Sequence, residues 1–454
     1  MIPVKTYHLI FFYLFSLIMS LLLMFTFELG YEKISLTIIE VEIILILIFL
    51  IYHSYKKNGI ISLYTLFLFF SIFFIFSRII FEFIGYLGRQ VNDFYFFLTN
   101  IHFKDETVFK FMFYSIIYFL SIDAGTHYQK KEKKILIPVK RYHSVIKVIL
   151  TYIVILLLPL LLYKGYLDIQ NVSLNGYRSV LDRTSYPFYL KGIGTIFISC
   201  FFVFFMFQPE RHEVIFIISI YIIYSFSASL RGSRSVFFIP FIFSIYLLWK
   251  MKIIKITFKG LFVIGFCCIL LIAWFTSYLR GEAIQNLGLG DLIKYVLYGQ
   301  GNSIGLPLYY LEFKDVIDSQ IQLPLIIEDW GSFFFDSLHK GSYYIAQIAN
   351  KNGVDGGLGE SIFLELLNLP LPLAIIISFC LGKIIKYIDL NIFCNAFSIP
   401  LFLLISQWVF VLPRFALFNF LDIYGIVELI LSYSLYFSLV FFIRYLKEGK
   451  SNAT

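Results

Sequence analysis

The residues with the clearest chemical potential are arginines beside glycines at the ends of apolar runs. Arg231 and Arg234 stand in Ser229-Leu-Arg-Gly-Ser-Arg-Ser235, a tight connection between two such runs. Arg280 follows another run in Tyr278-Leu-Arg-Gly-Glu282, Arg178 and Arg183 lie in a polar connection, and Arg414 follows Pro413. A guanidinium is planar, permanently charged and bidentate toward phosphate oxygens, and a neighbouring glycine lets a ligand approach the backbone. As a group these arginines suit a bulky phosphate ligand. Taken singly, each also reads as a side chain snorkelling to a membrane interface, or pairing with Asp182, Glu282 or Asp422.

Two further residues could move a proton. Glu360 sits in Gly356-Gly-Leu-Gly-Glu-Ser361, just before an apolar, helix-like run, and His339 is the histidine of the same long polar segment. Either could act as a general base near neutral pH. Most of the segment's other carboxylates, a set that includes Glu312, Glu328, Asp329 and Glu365, read as solvated surface groups. The sequence holds no Walker motif, no HExxH and no His/Cys cluster, so neither P-loop hydrolysis nor a metal or cofactor is expected. Nothing points to nucleic acid.

The elements that position these residues are membrane spans. Of 454 residues 59% are hydrophobic, 20% aromatic and only 15% charged, with a mean hydropathy of +0.83. So few charges cannot cover a globule of this size, so lipid must solvate most of the surface. The apolar runs continue for about 20 residues, the length of a spanning helix rather than a barrel strand. Twelve spans are expected, at about 8–27, 34–52, 60–80, 108–122, 145–163, 188–207, 213–230, 235–249, 260–277, 371–388, 396–412 and 425–443, forming one all-α bundle over 1–454. Lysine-rich connections such as Lys130–Arg141 and Lys250–Lys259 follow the even-numbered spans. The positive-inside rule then puts both termini and these loops in the cytoplasm. The long segment 278–370 lies outside, and its length predicts short functional helices on the outer rim, aromatic faces down. The five cysteines read as small apolar core residues.

Three stretches carry a family resemblance. Ser227-Ala-Ser-Leu-Arg-Gly-Ser-Arg-Ser235 precedes an apolar span and the basic run Lys250–Lys259. Ala273-Trp-Phe-Thr-Ser-Tyr-Leu-Arg280 opens the long segment, and Gly357-Leu-Gly-Glu-Ser-Ile-Phe-Leu-Glu365 closes it. With the span layout, the chain resembles a bacterial O-antigen or oligosaccharide repeat-unit polymerase of the Wzy type. The resemblance implies a substrate of glycan units on undecaprenyl pyrophosphate, presented at the outer face of the bacterial inner membrane. It also implies a fold like that of the lipid-carrier-dependent (GT-C) glycosyltransferases, and a flippase and a chain-length regulator as partners. The chemistry would be glycosyl transfer, with Arg231, Arg234, Arg280 and Arg414 stabilising the departing pyrophosphate and Glu360 or His339 activating the attacking hydroxyl. An O-antigen ligase, using the same donor, and a lipid-linked-glycan flippase remain as alternatives.

Overall fold

The computed structural model describes residues 4–83, 93–96, 99–127, 143–175, 190, 192–230, 235–257, 259–260, 263–265, 267, 270–271, 301–335, 337–351 and 360–451. Among these the chain is helical throughout, apart from one antiparallel hairpin pairing Asp93–Phe96 with Thr99–His102. Among the described residues, eight helices are long and apolar enough to cross a membrane: Leu9–Glu28, Glu32–Asn58, Leu63–Ile80, Asp105–Thr126, Ser144–Asn171, Arg211–Ser229, Leu371–Asn391 and Ile423–Phe442. Three of the expected spans form shorter apolar helices, Ile193–Met206, Ser235–Lys250 and Ala396–Val409. The expected ninth span, 260–277, lies largely outside the described residues. The fourth span, expected over 108–122, is longer than its apolar run because Asp105 and Glu106 extend it into a favourable acidic first turn. Cys200 and Cys394 are buried as expected, whereas Cys267 and Cys380 are exposed.

Local signals explain several helix ends. Ser62 caps Leu63–Ser71 by accepting from Thr65 N at 3.2 Å. Glu210 and Glu213 form a reciprocal capping box at the start of Arg211–Ser229. Pro370 precedes Leu371–Asn391, where a missing N–H costs nothing.

The chain divides into two compact units. One comprises 131–296, 390–408 and 420–454. In it Ser199 Oγ donates to the Glu428 carbonyl at 3.1 Å, joining Ile193–Met206 to Ile423–Ser451. Lys147 pairs with Glu213 at 2.6 Å. A Cβ on Gly165 would fall on the Ser227 hydroxyl, so His143–Asn175 and Arg211–Ser229 approach closely there.

The other unit comprises 1–130, 297–389 and 409–419. Its scaffold is the close crossing of Asp105–Thr126 with Leu371–Asn391. A Cβ on Gly382 would fall on the Ile122 carbonyl oxygen, and one on Gly125 on that of Phe379. In lipid, where apolar burial drives little association, such backbone contact is a main source of helix adhesion. Leu63–Ser71 widens into a π turn at Ile72–Phe76 before resuming as Ser77–Phe83. The π turn packs against the Gly301–Ile304 and Leu412–Arg414 turns, so the long segment docks where this helix departs from α geometry.

The long segment forms short helices, two of which are largely buried. Gly305–Glu312 buries both Tyr309 and Tyr310, and Ile362–Asn368 buries every residue from Ile362 to Leu367. Phe363 lies 5.4 Å from the Phe119 ring, 6.3 Å from Phe111 and 6.4 Å from Phe76. Each such aromatic pair contributes about 0.5–1.5 kcal/mol beyond its buried area.

Candidate functional site

The long segment converges on a group of acids. Leu325–Gly331 begins after Pro324, and the side chain of Asn368 accepts from Leu325 N at 2.8 Å. Glu328 turns back to accept from the N–H groups of Gln322 (2.7 Å) and Leu323 (2.9 Å), and the Tyr344 hydroxyl donates to its other oxygen. Burial, reinforced by that bond and by the charge of Glu328, raises the Tyr344 phenol above its ordinary range. Asp329, next in the chain, accepts from Gly341 N at 2.5 Å through Oδ1.

Ser361 starts the neighbouring helix. Its hydroxyl accepts from Phe363 N at 3.3 Å and donates to the Pro413 carbonyl at 2.8 Å. Glu365, one turn on, accepts from Leu417 N at 2.7 Å. Glu360 stands just before this helix and pairs with Lys340 at 2.7 Å. The Lys340 ammonium also lies 4.5 Å from the Phe333 ring centroid. Three acids therefore meet: Glu360 at 7% exposure, Asp329 at 2% and Glu365 at 1%. The expectation that Glu328, Asp329 and Glu365 are solvated is wrong, because the helices that carry them fold inward rather than lying on a surface.

Electrostatics follow from that burial. Desolvation raises Asp329, and the charge of Glu360 raises it further, against smaller opposing effects of Gly341 N–H and Lys340. Glu365 is driven well above the carboxylate range, first by burial and then by Asp329.

The expected site residues fall into two groups. Glu360, His339 and Arg414 are described. Glu360 is in the acid group. His339 adjoins Lys340 in sequence, and its ring stacks on Tyr343 with centroids 4.1 Å apart and meets Tyr344 at 6.1 Å. Arg414 lies with its guanidinium carbon 5.4 Å from the centroid of Phe74, a π-turn residue. Arg178, Arg183, Arg231, Arg234 and Arg280 lie outside the described residues.

Sequence reasoning passed over Lys340, Asp329, Glu365 and Arg78. Arg78 is only 4% exposed and stands four residues beyond Phe74. Its signal was legible as a charge within an apolar span, which by default marks function. Glu365 also had a signal, in its place inside the run Ile362-Phe-Leu-Glu-Leu-Leu367. No group of three or more His, Cys, Asp or Glu that could hold a metal occurs among the described residues.

The fold and the acid group together define a multi-pass α-helical membrane protein with an elaborated segment docked on its spans. A model of the family O-antigen polysaccharide polymerase Wzy matches residues 8–447, nearly the whole chain. The chain belongs to that family, whose members are polymerising enzymes of the glycosyltransferase type acting on lipid-linked oligosaccharide. No curated protein and no solved structure matches it.

Proposed function

We propose that this chain joins oligosaccharide repeat units carried on undecaprenyl pyrophosphate into O-antigen or a related surface polysaccharide, at the periplasmic face of the inner membrane. The observation that carries the reading is the family match over residues 8–447. The finer layout is that of twelve spans in a GT-C-like arrangement, with both termini cytoplasmic and the long segment periplasmic. A flippase supplies the units and a chain-length regulator limits the product.

In the reaction, the anomeric carbon of the growing chain is attacked by a hydroxyl of a fresh lipid-linked unit. A glycosidic C–O bond forms while the bond to pyrophosphate breaks, and the leaving group departs with the electron pair. Glu360 takes the hydroxyl proton, its carboxylate oriented by Lys340. His339, beside Lys340, is the other group on this side able to take that proton. Arg414, with Arg231, Arg234 and Arg280, stabilises the charge that develops on the pyrophosphate. Arg178 and Arg183 assist in holding the lipid-linked substrate.

The test is a gel of surface glycans from a deletion strain complemented with wild type, Glu360→Gln or Arg234→Ala. Loss of the chain should collapse the ladder to a single repeat unit, and wild type should restore it. Glu360→Gln should lower polymer formation about 100-fold, the scale of a lost general base. An intact ladder in the deletion strain would end the polymerase reading. Complete absence of glycan on the anchor would favour a ligase or a flippase, and full activity of Glu360→Gln would remove Glu360 as the base.

A further inference from the structure

Beneath the Lys340–Glu360 pair, Asp329 and Glu365 face each other with too few donors. Each has one oxygen satisfied by a backbone N–H, from Gly341 at 2.5 Å and Leu417 at 2.7 Å. The other oxygens, Asp329 Oδ2 and Glu365 Oε1, are fully buried and have no donor when both groups are counted as carboxylates. Glu365 feels the charge of Asp329 directly, so the two carboxyls are neighbours in the same buried pocket. Two carboxylates cannot bond to each other, because each only accepts, whereas a carboxylic acid and a carboxylate can. Leaving both ionised would bury two like charges in contact, which is far more costly than retaining one proton.

We propose that Asp329 and Glu365 hold a single proton between them, and that this proton-linked pair is the keystone that positions Lys340 and Glu360. The consequence for position is direct. Asp329 holds the backbone of Gly341, the residue after Lys340. Glu365 holds the backbone of Leu417 and lies in the helix that Ser361, the residue after Glu360, initiates. The pair thus fixes both strands of chain that carry the ion pair, and ties them to the segment bearing Arg414. Neither acid touches the reacting atoms, so both are positioning residues. Their catalytic consequence rests on the polymerase reading, whereas the shared proton does not.

Other charged and titratable groups around the pair have their own partners. Glu328 is taken up by Tyr344 and two backbone N–H groups, and Glu360 by Lys340. Glu312, ending the helix Gly305–Glu312, is bound by Thr107 at 2.5 Å and Lys104 at 3.3 Å. Tyr118 donates to the Leu366 carbonyl at 3.2 Å, Tyr310 to Asp318 at 2.8 Å, and Arg414 lies on Phe74. His339 is stacked on Tyr343.

Amide substitutions separate a shared proton from ordinary packing. In Glu365→Gln the amide oxygen still accepts from Leu417 while its N–H₂ donates to Asp329. In Asp329→Asn the mirror arrangement holds. In the double variant two amide nitrogens face each other and the hydrogen bond is lost.

The pH sign is also defined. An acid whose folded pKa is raised contributes stability that is complete below its unfolded pKa, about 4. That contribution is lost as pH rises through the folded value. The experiment has two arms on the purified full-length protein and its three variants. The first follows the melting temperature in detergent from pH 5 to 9. The second follows polymer formation over the same range from lipid-linked units extracted from the deletion strain.

Wild type should lose stability and activity toward high pH. Each single amide should flatten that alkaline decline and stay within about threefold of wild-type activity at pH 6. The double variant should lose at least tenfold, well beyond the product of the single effects. A decline that persists in both singles, or a double effect equal to that product, would overturn the proposal. If wild type makes no polymer at any pH, the polymerase reading fails while the melting arm still decides whether the proton is shared.

Discussion

Two buried acid groups pack against the helix Asp105–Thr126, and they are built on opposite principles. Along its length the helix receives the long segment that carries the Asp329–Glu365 pair, with Thr107 donating to Glu312 and Tyr118 to the Leu366 carbonyl. Near its end, Asp123 is fully buried. The Tyr13 hydroxyl donates to its carboxylate, the Tyr64 phenol lies against it, and His127 Nδ1 approaches to 3.7 Å. Asp123 thus accepts one hydrogen bond from a side chain on another helix, through Oδ2, while its Oδ1 is buried without a donor. Asp329 and Glu365 each accept one backbone N–H and otherwise face one another. The difference teaches that burial alone does not set an acid's chemistry. What stands beside the acid does, a phenol in one group and a second carboxyl in the other, because a phenol can donate and a carboxylate cannot. One group is a fixed lock between helices. The other depends on a proton.

The largest effect that would test this contrast is on the lock. Asp123→Ala removes the acceptor from the half-buried Tyr13 hydroxyl and the carboxyl packed against the buried Tyr64 phenol, and should destabilise the protein by roughly 3 kcal/mol. A chemical-denaturation midpoint in detergent measures it. The pH dependence assigned to the loop pair should survive in this variant. Its disappearance would mean that the two groups titrate as one system, and the comparison would fail.

The scaffold between them offers the next test. A Cβ at Gly382 meets the Ile122 carbonyl, one residue from Asp123, so Gly382→Ala must push Leu371–Asn391 away from Asp105–Thr126. Overpacking of this kind costs about 1–3 kcal/mol. Because the crossing lies near Asp123 and about 17 residues before it stands Glu365, the variant should loosen the lock while sparing the acid group. Hydrogen exchange should speed at the Asp123 end of the helices and stay slow in Ile362–Asn368. Equal acceleration at both sites would show that the unit yields as a whole.

These two regions were unequally legible in the sequence. Spans announce themselves through apolar runs of about 20 residues, so all eight candidate spans were found near their observed positions. Their lengths were less legible, because polar caps such as Asp105 extend a helix beyond its apolar stretch. Glu360 stood out through its glycines and its place before an apolar helix. Its partner Lys340 lies 20 residues earlier and has no local mark. Asp329, in Ile-Ile-Glu-Asp-Trp, has the look of a solvated acid until Gly341 and Glu365 are brought to it by folding. Glu365 is tied to Leu417, 52 residues away. Such partnerships are made by tertiary packing, which residue type and spacing do not encode. The Asp123 group was missed for the same reason, since Tyr13 and Asp123 are 110 residues apart.

The smallest effect probes the edge of the lock. His127 Nδ1 lies 2.7 Å from the carbonyl of Asp123, so that nitrogen carries the hydrogen. Its Nε2 is then free to accept from His53 Nε2, 3.1 Å away. His127 is 24% exposed, so water can replace the lost partner in His53→Ala. The cost should be about 0.5 kcal/mol, at the lower end for a hydrogen bond. The informative measurement is the double variant with Asp123→Ala. The main-chain carbonyl that holds the His127 ring survives in Asp123→Ala, so the two effects should add to within about 0.5 kcal/mol. Clear non-additivity would show that the carboxylate, 3.7 Å from Nδ1, also holds the ring and that the histidine contact belongs to the lock.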